Sequence, residues 1–306
     1  MGYDPKTGWT ASFEGVVAAP LTPFGDRGEL RPDLVPAMVE FLLERGVQGL
    51  MVGGTTGEFI ALDVTERREL LESFVRAVDG SVPVIAHVGH VDQRQGRSLA
   101  HHARDVGANA TTAIAPYYHR FSESACRAYF EALADATPDL PFFVYDYPDA
   151  TGTALSPDLL PSLMDIPNLA GAKHSVATFE ELEPYLSLPR HLCIMSGNDV
   201  LAPRFFHSGG RAIVSGNAAV FPEVLSTLVA IAVRDPEAVA DRSTQLELIA
   251  ELGRSGAPDR LRELLALRGL DVGPSRLRTF LPDEVPEAHE ALAHTLIRQL
   301  DEESRN

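Results

Sequence analysis

The side chain with the most chemistry to offer is Lys173, which closes the apolar run Leu169-Ala170-Gly171-Ala172. Such a run reads as the inside of a buried strand. An ammonium placed there costs several kcal/mol unless it is paired or gives up its proton. Two readings follow: the lysine marks the strand's end and snorkels into solvent, or it is kept as a neutral amine. A free lysine titrates near ~10.4, so only about one part in a few thousand is neutral at pH 7. Desolvation raises that fraction. A half-buried, unpaired amine suits imine formation with a ketone or aldehyde. The protonated imine withdraws electrons, and the carbon beside it can lose a proton or a carbon substituent to give an enamine.

Such a site needs a proton carrier and a holder for a carboxylate. Tyr145, in the run Pro141–Tyr147, supplies a phenol that can move protons on and off the carbinolamine and an aldehyde oxygen. The stretch Gly54-Thr55-Thr56-Gly57-Glu58 offers two adjacent hydroxyls and backbone N–H groups on a glycine-flanked turn, a nest for the carboxylate of a 2-oxo acid. Each feature alone has a plainer account. A strand tyrosine is often core or rim, and a Thr-Thr pair between glycines is often only a turn.

The elements that must bring these residues together alternate along the chain. Short β-type runs occupy 15–22, 49–56, 83–89, 110–116, 141–147, 169–175, 191–197 and 211–217, and between them lie segments with apolar residues at three- and four-residue spacing. Thr65 and Ser122 read as helix starts, and Gly46, Gly80 and Gly107 as helix ends. Eight strands, each followed by a helix, count out a (β/α)8 TIM barrel over residues 13–235. An open doubly wound sheet would usually carry a Gly-rich nucleotide loop after its first strand, and Ala19–Gly25 is not one. Residues 1–12 read as a leader. Residues 236–306 carry helical patterns only and are expected to form a helical extension packed on the barrel. Strand C-termini face the mouth of such a barrel, so Lys173, Tyr145 and the Thr55-Thr56 turn are expected to share one rim.

Composition sets outer bounds. The 306 residues are 45% hydrophobic with two cysteines and a formal net charge of −17. This charge argues against nucleic acid and anionic membranes as partners. No run approaches the ~18 uninterrupted apolar residues of a membrane span. Cys126 and Cys193 have neither pairing nor metal-ligand spacing, so a reducing, cytoplasmic setting fits. His87 and His90 could suggest a metal, but a third ligand is missing nearby and a lysine imine makes a metal unnecessary. His87 is therefore read as polar lining or a satisfied core residue. Asp199 either hydrogen-bonds substrate hydroxyls or caps the helix that follows. Glu58 is either an acid behind the site or a support for its turn.

With these residues in view, the chain resembles the dihydrodipicolinate synthase / N-acetylneuraminate lyase family of pyruvate-dependent class I lyases. The motifs are Thr22-Pro-Phe24, Gly54–Glu58, Pro116-Tyr-Tyr118, Tyr145–Pro148 followed by Thr151-Gly152, Gly171–Ser175, Ser196–Asp199 and Ser215–Glu223. The resemblance implies Lys173 as the Schiff-base lysine and Tyr145 as the acid/base that also contacts the pyruvate carboxylate. It implies Thr55 and Thr56, with Gly54, as the carboxylate holder, and Thr55 as the link between Tyr145 and Tyr118. Tyr118 would enter the site of a neighbouring subunit, which implies a homo-oligomer, a dimer or commonly a tetramer. Gly197 and Ile213 would line the pyruvate pocket.

Departures bear on the substrate. Where the synthase branch usually has an arginine gripping substrate, this chain has Ala150. The stretch Tyr145–Gly152 is instead similar to that of 2-keto-3-deoxygluconate aldolases. In that branch Tyr147 and Arg120 could meet the far end of a sugar acid. Asp146 stands where Asn is more usual, and His174 where many members carry an acidic or amide residue. The expectation is thus a cofactor-free class I aldolase acting on pyruvate and an aldehyde, with a 2-keto-3-deoxy sugar acid as substrate. The rivals are dihydrodipicolinate synthase, a keto-deoxy sugar acid dehydratase, and a non-catalytic oxo-acid sensor.

Overall fold

A computed structural model describes residues 13–156, 158–189, 191–235, 238, 243–253, 257–277 and 287–303. The expected leader, 1–12, lies outside them. Eight strands, β1 (Gly15–Ala18), β2 (Gly49–Val52), β3 (Val84–His87), β4 (Ala110–Ile114), β5 (Phe142–Asp146), β6 (Leu169–His174), β7 (Cys193–Ser196) and β8 (Ala212–Ser215), pair in sequence order. All pairings are parallel, and β8 returns to β1 with Val16 opposite Ile213, closing the barrel. The ordered strands are shorter than the β-type runs in the sequence because the C-terminal ends of those runs turn out into the rim loops.

Helices α1 (Val35–Glu44), α2 (Val64–Val78), α3 (Gln93–Asp105), α4 (Glu123–Ala134), α5 (Pro148–Thr151), α6 (Leu159–Ser162), α7 (Phe179–Leu186), α8 (Ala202–His207) and α9 (Pro222–Arg234) fill the crossovers. Then come α10 (Ser243–Leu252), α11 (Pro258–Leu267) and α12 (Glu287–Glu303). Ser122 caps α4, accepting from the Ala125 N–H at 3.2 Å. Thr65, by contrast, sits inside α2. The cap is Asp63, which accepts from the Glu66 N–H at 2.8 Å while the Glu66 carboxylate accepts from the Asp63 N–H at 3.0 Å. This reciprocal capping box satisfies two otherwise orphaned donors and outcompetes a threonine two positions later. Gly46, Gly80 and Gly107 all take positive φ where helices end.

Because side chains alternate across each strand, the barrel builds two apolar layers. Val17, Met51, Ile85, Phe143, Met195 and Val214 pack inside it. Val16, Leu50, Val52, Val144, Ala172 and Ile213 pack outward against helix residues such as Phe74, Phe130 and Leu225. The interior layer is the floor on which the site stands.

Candidate active site

The position of Lys173 depends on an irregularity in β6. Phe142 pairs with Leu169 but Phe143 pairs with Gly171, so Ala170 is an extra residue in that strand. Gly171 takes φ +148°, and a Cβ on it would collide with the Cys193 carbonyl of β7. Glycine is therefore required at this bulge. Ala170 belongs to the interior layer and Ala172 to the outer one, after which Lys173 points inward. Lys173 ends level with Tyr145 of β5.

There Lys173 is 6% exposed, and its Nζ lies 4.1 Å from the centroid of the Tyr145 ring. Among the described residues no carboxylate comes within salt-bridge distance of it. The Tyr145 hydroxyl is 3.2 Å from Thr55 Oγ1. Tyr147 stacks on Tyr145 at 6.2 Å with the planes 19° apart, and burial pushes its phenol pKa up. Beneath them lies His87, whose ring meets Tyr145 edge-on at 6.2 Å and Phe59 at 4.4 Å.

His87 is a satisfied core residue. Its Nε2 accepts from the Ile114 N–H at 3.2 Å, and Arg67 donates to its carbonyl at 2.6 Å. Burial, reinforced by the positive charges of Arg67 and Lys173, holds its pKa well below the ordinary histidine value, so the ring is neutral. Among the described residues no three His, Cys, Asp or Glu side chains gather as a metal site would require. Cys126 and Cys193 are free and buried.

A cavity of about 480 Å³ opens above Lys173, lined at its base by Thr55, Thr56, Tyr145, Tyr147 and Gly197. Gly197 does more than line it: a Cβ there would lie 2.9 Å from Lys173 Cε and collide with Ser175 Oγ. The lining also includes Asp149, Asn198, Asp199 and Asn217, and Ala250 from α10. Asp199 is not the helix cap; Asn198 is, accepting from the Val200 N–H at 3.1 Å. Asp199 is buried, and its Oδ2 accepts from Ser215 Oγ at 2.7 Å and Asn217 Nδ2 at 2.9 Å. Its Oδ1 has no partner among the described residues. Burial raises its pKa, opposed by those two hydrogen bonds and by the charge of Lys173.

Three expected site residues stand outside the lining, and Tyr118, expected in a neighbouring subunit's site, lies on the surface. Ile213 faces outward into the helix layer, and its neighbour Val214 lines the cavity instead. The pleat allows only one of two adjacent residues to face inward. Gly54 is not among the lining residues; its carbonyl accepts from the Phe59 N–H at 3.3 Å. Arg120 is exposed and outside the lining. Tyr118 is 88% exposed, holds φ +79° and contacts the His119 ring rather than Thr55. Sequence reasoning missed Ser175 and Val214, whereas Asn198 and Asn217 close the Ser-Gly-Asn runs at 196–198 and 215–217 that end β7 and β8. On the outer face of the same strands the two unusual residues meet: His174 Nδ1 lies 3.3 Å from Asp146 Oδ2, both buried, with the His174 ring 3.7 Å from that of Tyr185.

Fold and site together define a closed (β/α)8 barrel with a buried amine, a phenol and two threonine hydroxyls at the C-terminal mouth. The dihydrodipicolinate synthetase family model matches residues 12–298, and the chain belongs to that family, whose members are pyruvate-dependent lyases. It is 31% identical over 270 residues to a 4-hydroxy-tetrahydrodipicolinate synthase of Bacillus subtilis, covering 87% of this chain and 93% of that one. It is 30% identical over 266 residues to an N-acetylneuraminate lyase of Rhizobium meliloti, covering 86% and 88% respectively. Among solved structures it resembles YagE of E. coli K12, determined in complex with pyruvate, with a TM-score of 0.86, 28% identity and coverage of 95% and 99%. No described helix is long and apolar enough to cross a membrane.

Proposed function

We propose that this enzyme is a class I aldolase that reversibly cleaves a 2-keto-3-deoxy sugar acid to pyruvate and an aldehyde through an imine on Lys173. One observation carries the reading: the Lys173 amine sits 4.1 Å over the ring of Tyr145, whose hydroxyl is 3.2 Å from Thr55 Oγ1, at the base of a single cavity. The amine attacks the keto carbon, and Tyr145 gives its proton to the departing hydroxyl, so that water leaves as the imine forms. The bond between the carbon beside the imine and the hydroxyl-bearing carbon then breaks, its electrons passing into the enamine. Tyr145 takes the hydroxyl proton as the aldehyde departs. Protonation of the enamine and attack of water return the free amine and pyruvate. Thr55 and Thr56, with the turn's N–H groups, hold the carboxylate throughout.

The lining supports the substrate class. Among the described lining residues Lys173 is the sole cation, and they include Asp149, Asn198, Asp199 and Asn217. Carboxylate and amide oxygens accept from hydroxyls, whereas a phosphate or second carboxylate would call for an arginine. Asp199 lines the cavity with a carboxylate that Ser215 and Asn217 hold in place, a fit for substrate hydroxyls. The exposed Tyr118 fits a role in the site of a second subunit, so the working unit is at least a dimer.

A second reading, condensation of pyruvate with aspartate semialdehyde, draws support from the relatives named as synthases. Ala150, without the arginine usual there, weighs against it. Borohydride reduction in the presence of pyruvate, followed by peptide mapping, tests the imine. An adduct on Lys173 supports it, and an unmodified, folded, empty protein refutes it in favour of an oxo-acid-binding barrel. Pyruvate release from keto-deoxy sugar acids, compared with consumption of aspartate semialdehyde, separates the two enzymes.

A further inference from the structure

The turn that carries Thr55 and Thr56 is held mainly from outside its own stretch of chain. It ends at Glu58, which is fully buried and adopts the left-handed conformation at φ +54°. Its N–H donates to the Thr55 carbonyl at 2.9 Å, so the backbone of Glu58 is tied directly to the residue that contacts Tyr145. Every hydrogen bond to its carboxylate comes from more than 200 residues downstream. Oε1 accepts from Arg262 Nε at 3.1 Å and Nη2 at 2.5 Å. Oε2 accepts from Ser275 Oγ at 2.8 Å and from the N–H groups of Arg276 and Leu277, each at 2.9 Å.

Arg262 lies on α11, outside the barrel, and its remaining donors reach the Thr22 carbonyl at 2.7 Å and those of Val272 and Gly273 at 3.0 and 3.1 Å. Thr22 completes the circuit by donating from Oγ1 to the Gly57 carbonyl at 2.5 Å. Burial pulls the Arg262 pKa down while Glu58 pushes it back up, as a buried pair that compensates itself would. Neither Glu58 nor Arg262 lines the cavity. A buried ion pair is a poor source of net stability but a good device for fixing one arrangement of backbone.

We propose that the C-terminal segment is a positioning part of the active site: Arg262, Ser275 and the backbone of residues 276–277 close on Glu58 and thereby set Thr55 and Thr56 against the substrate's carboxylate. The inference rests on the imine reading above, and Glu58 and Arg262 act through the threonines without touching substrate. It distinguishes a helical appendage that merely covers the barrel from one whose contacts are felt in substrate affinity.

The test uses the full chain and pyruvate. For wild type, Glu58→Gln and Ser275→Ala, one measures the pyruvate concentration giving half-maximal borohydride trapping at Lys173, and the trapping rate at saturation. Glu58→Gln removes the charge that compensates Arg262, and is expected to raise the half-trapping concentration about tenfold or more while the saturating rate stays within about threefold. Ser275→Ala removes one donor and keeps the ion pair, and is expected to raise it about threefold. If Glu58→Gln does not fold, Ser275→Ala decides alone. A folded variant with an unchanged half-trapping concentration overturns the proposal. So does a fall in saturating rate with no change in affinity, which would make the network general scaffolding. Wild type that traps no pyruvate would instead refute the imine reading itself.

Discussion

Replacing Gly197 by alanine adds one methyl just after β7, beside Lys173. The backbone tolerates it, because Gly197 is not among the positive-φ glycines. The new Cβ would stand 2.9 Å from Lys173 Cε. Ordinary carbon–carbon contact is ~3.5–4.0 Å, so the end of the lysine must retreat by about 0.6 Å. Ser175 must give way as well: its Oγ can rotate, but its Cβ, 3.0 Å from the new methyl, moves only with the backbone. A misplacement of ~1 Å at a reacting group can cost ~10²-fold in rate, so a 0.6 Å retreat corresponds to roughly tenfold. The expected result is imine formation slowed about tenfold at saturating pyruvate, with overpacking lowering stability by ~1–3 kcal/mol. The assay is borohydride quenching at timed intervals after mixing, read by intact mass, beside thermal unfolding of the same sample. A folded Gly197→Ala protein that forms the imine at the wild-type rate would refute the account of why glycine stands there.

The other expectations concern the reacting groups and the residue beneath them. Lys173→Ala should abolish both turnover and the borohydride adduct, and near-wild-type turnover would end the imine mechanism. Tyr145→Phe keeps the ring under the amine but removes the hydroxyl beside Thr55, and turnover should fall by ~10²–10⁴ while pyruvate still binds. His87 affects stability: its folded pKa lies well below the ordinary value, so below about pH 6.5 the unfolded chain binds a proton that the folded chain refuses. Stability from this group is therefore complete above that pH and is lost by ~1.4 kcal/mol per unit as pH falls. His87→Gln should flatten that slope in thermal unfolding between about pH 6.5 and 5, and an unchanged slope would mean the ring is not held neutral.

Much of the fold was legible because its signals are local. Eight β-type runs separated by one-sided helical patterns need no long-range information to be counted, and the closed parallel barrel follows from their number and order. Helix α2 shows the limit: its range is plain from apolar spacing, but its cap is not. Thr65 and Asp63 are both capping residue types, and only the Asp63–Glu66 reciprocity decides between them. The Glu58 network was illegible for a different reason. Nothing in Gly54–Glu58 indicates that its carboxylate is met by Arg262 and Ser275, since those contacts span more than 200 residues and depend on how the last helices fold back.

The site itself was legible where a residue's chemistry was unusual for its place, and illegible where facing had to be inferred by counting. Lys173 and Tyr145 were identifiable because an amine and a phenol at strand ends call for an explanation. Ile213 and Val214 carry no such mark, and period-two counting puts one of them inside only after the register of β8 is known. In β6 counting alone would mislead. From Ala170, which faces inward, strict alternation would place Ala172 inside and Lys173 outside among the helices. The extra residue at Ala170, made possible by glycine at φ +148° beside the Cys193 carbonyl, reverses that phase. It turns Lys173 toward Tyr145 and sends His174 outward to Asp146. One glycine thus decides which of two adjacent titratable side chains faces the cavity. Any larger residue at 171 must either move β7 or undo the bulge, and undoing it would exchange the amine for an imidazole at the base of the cavity.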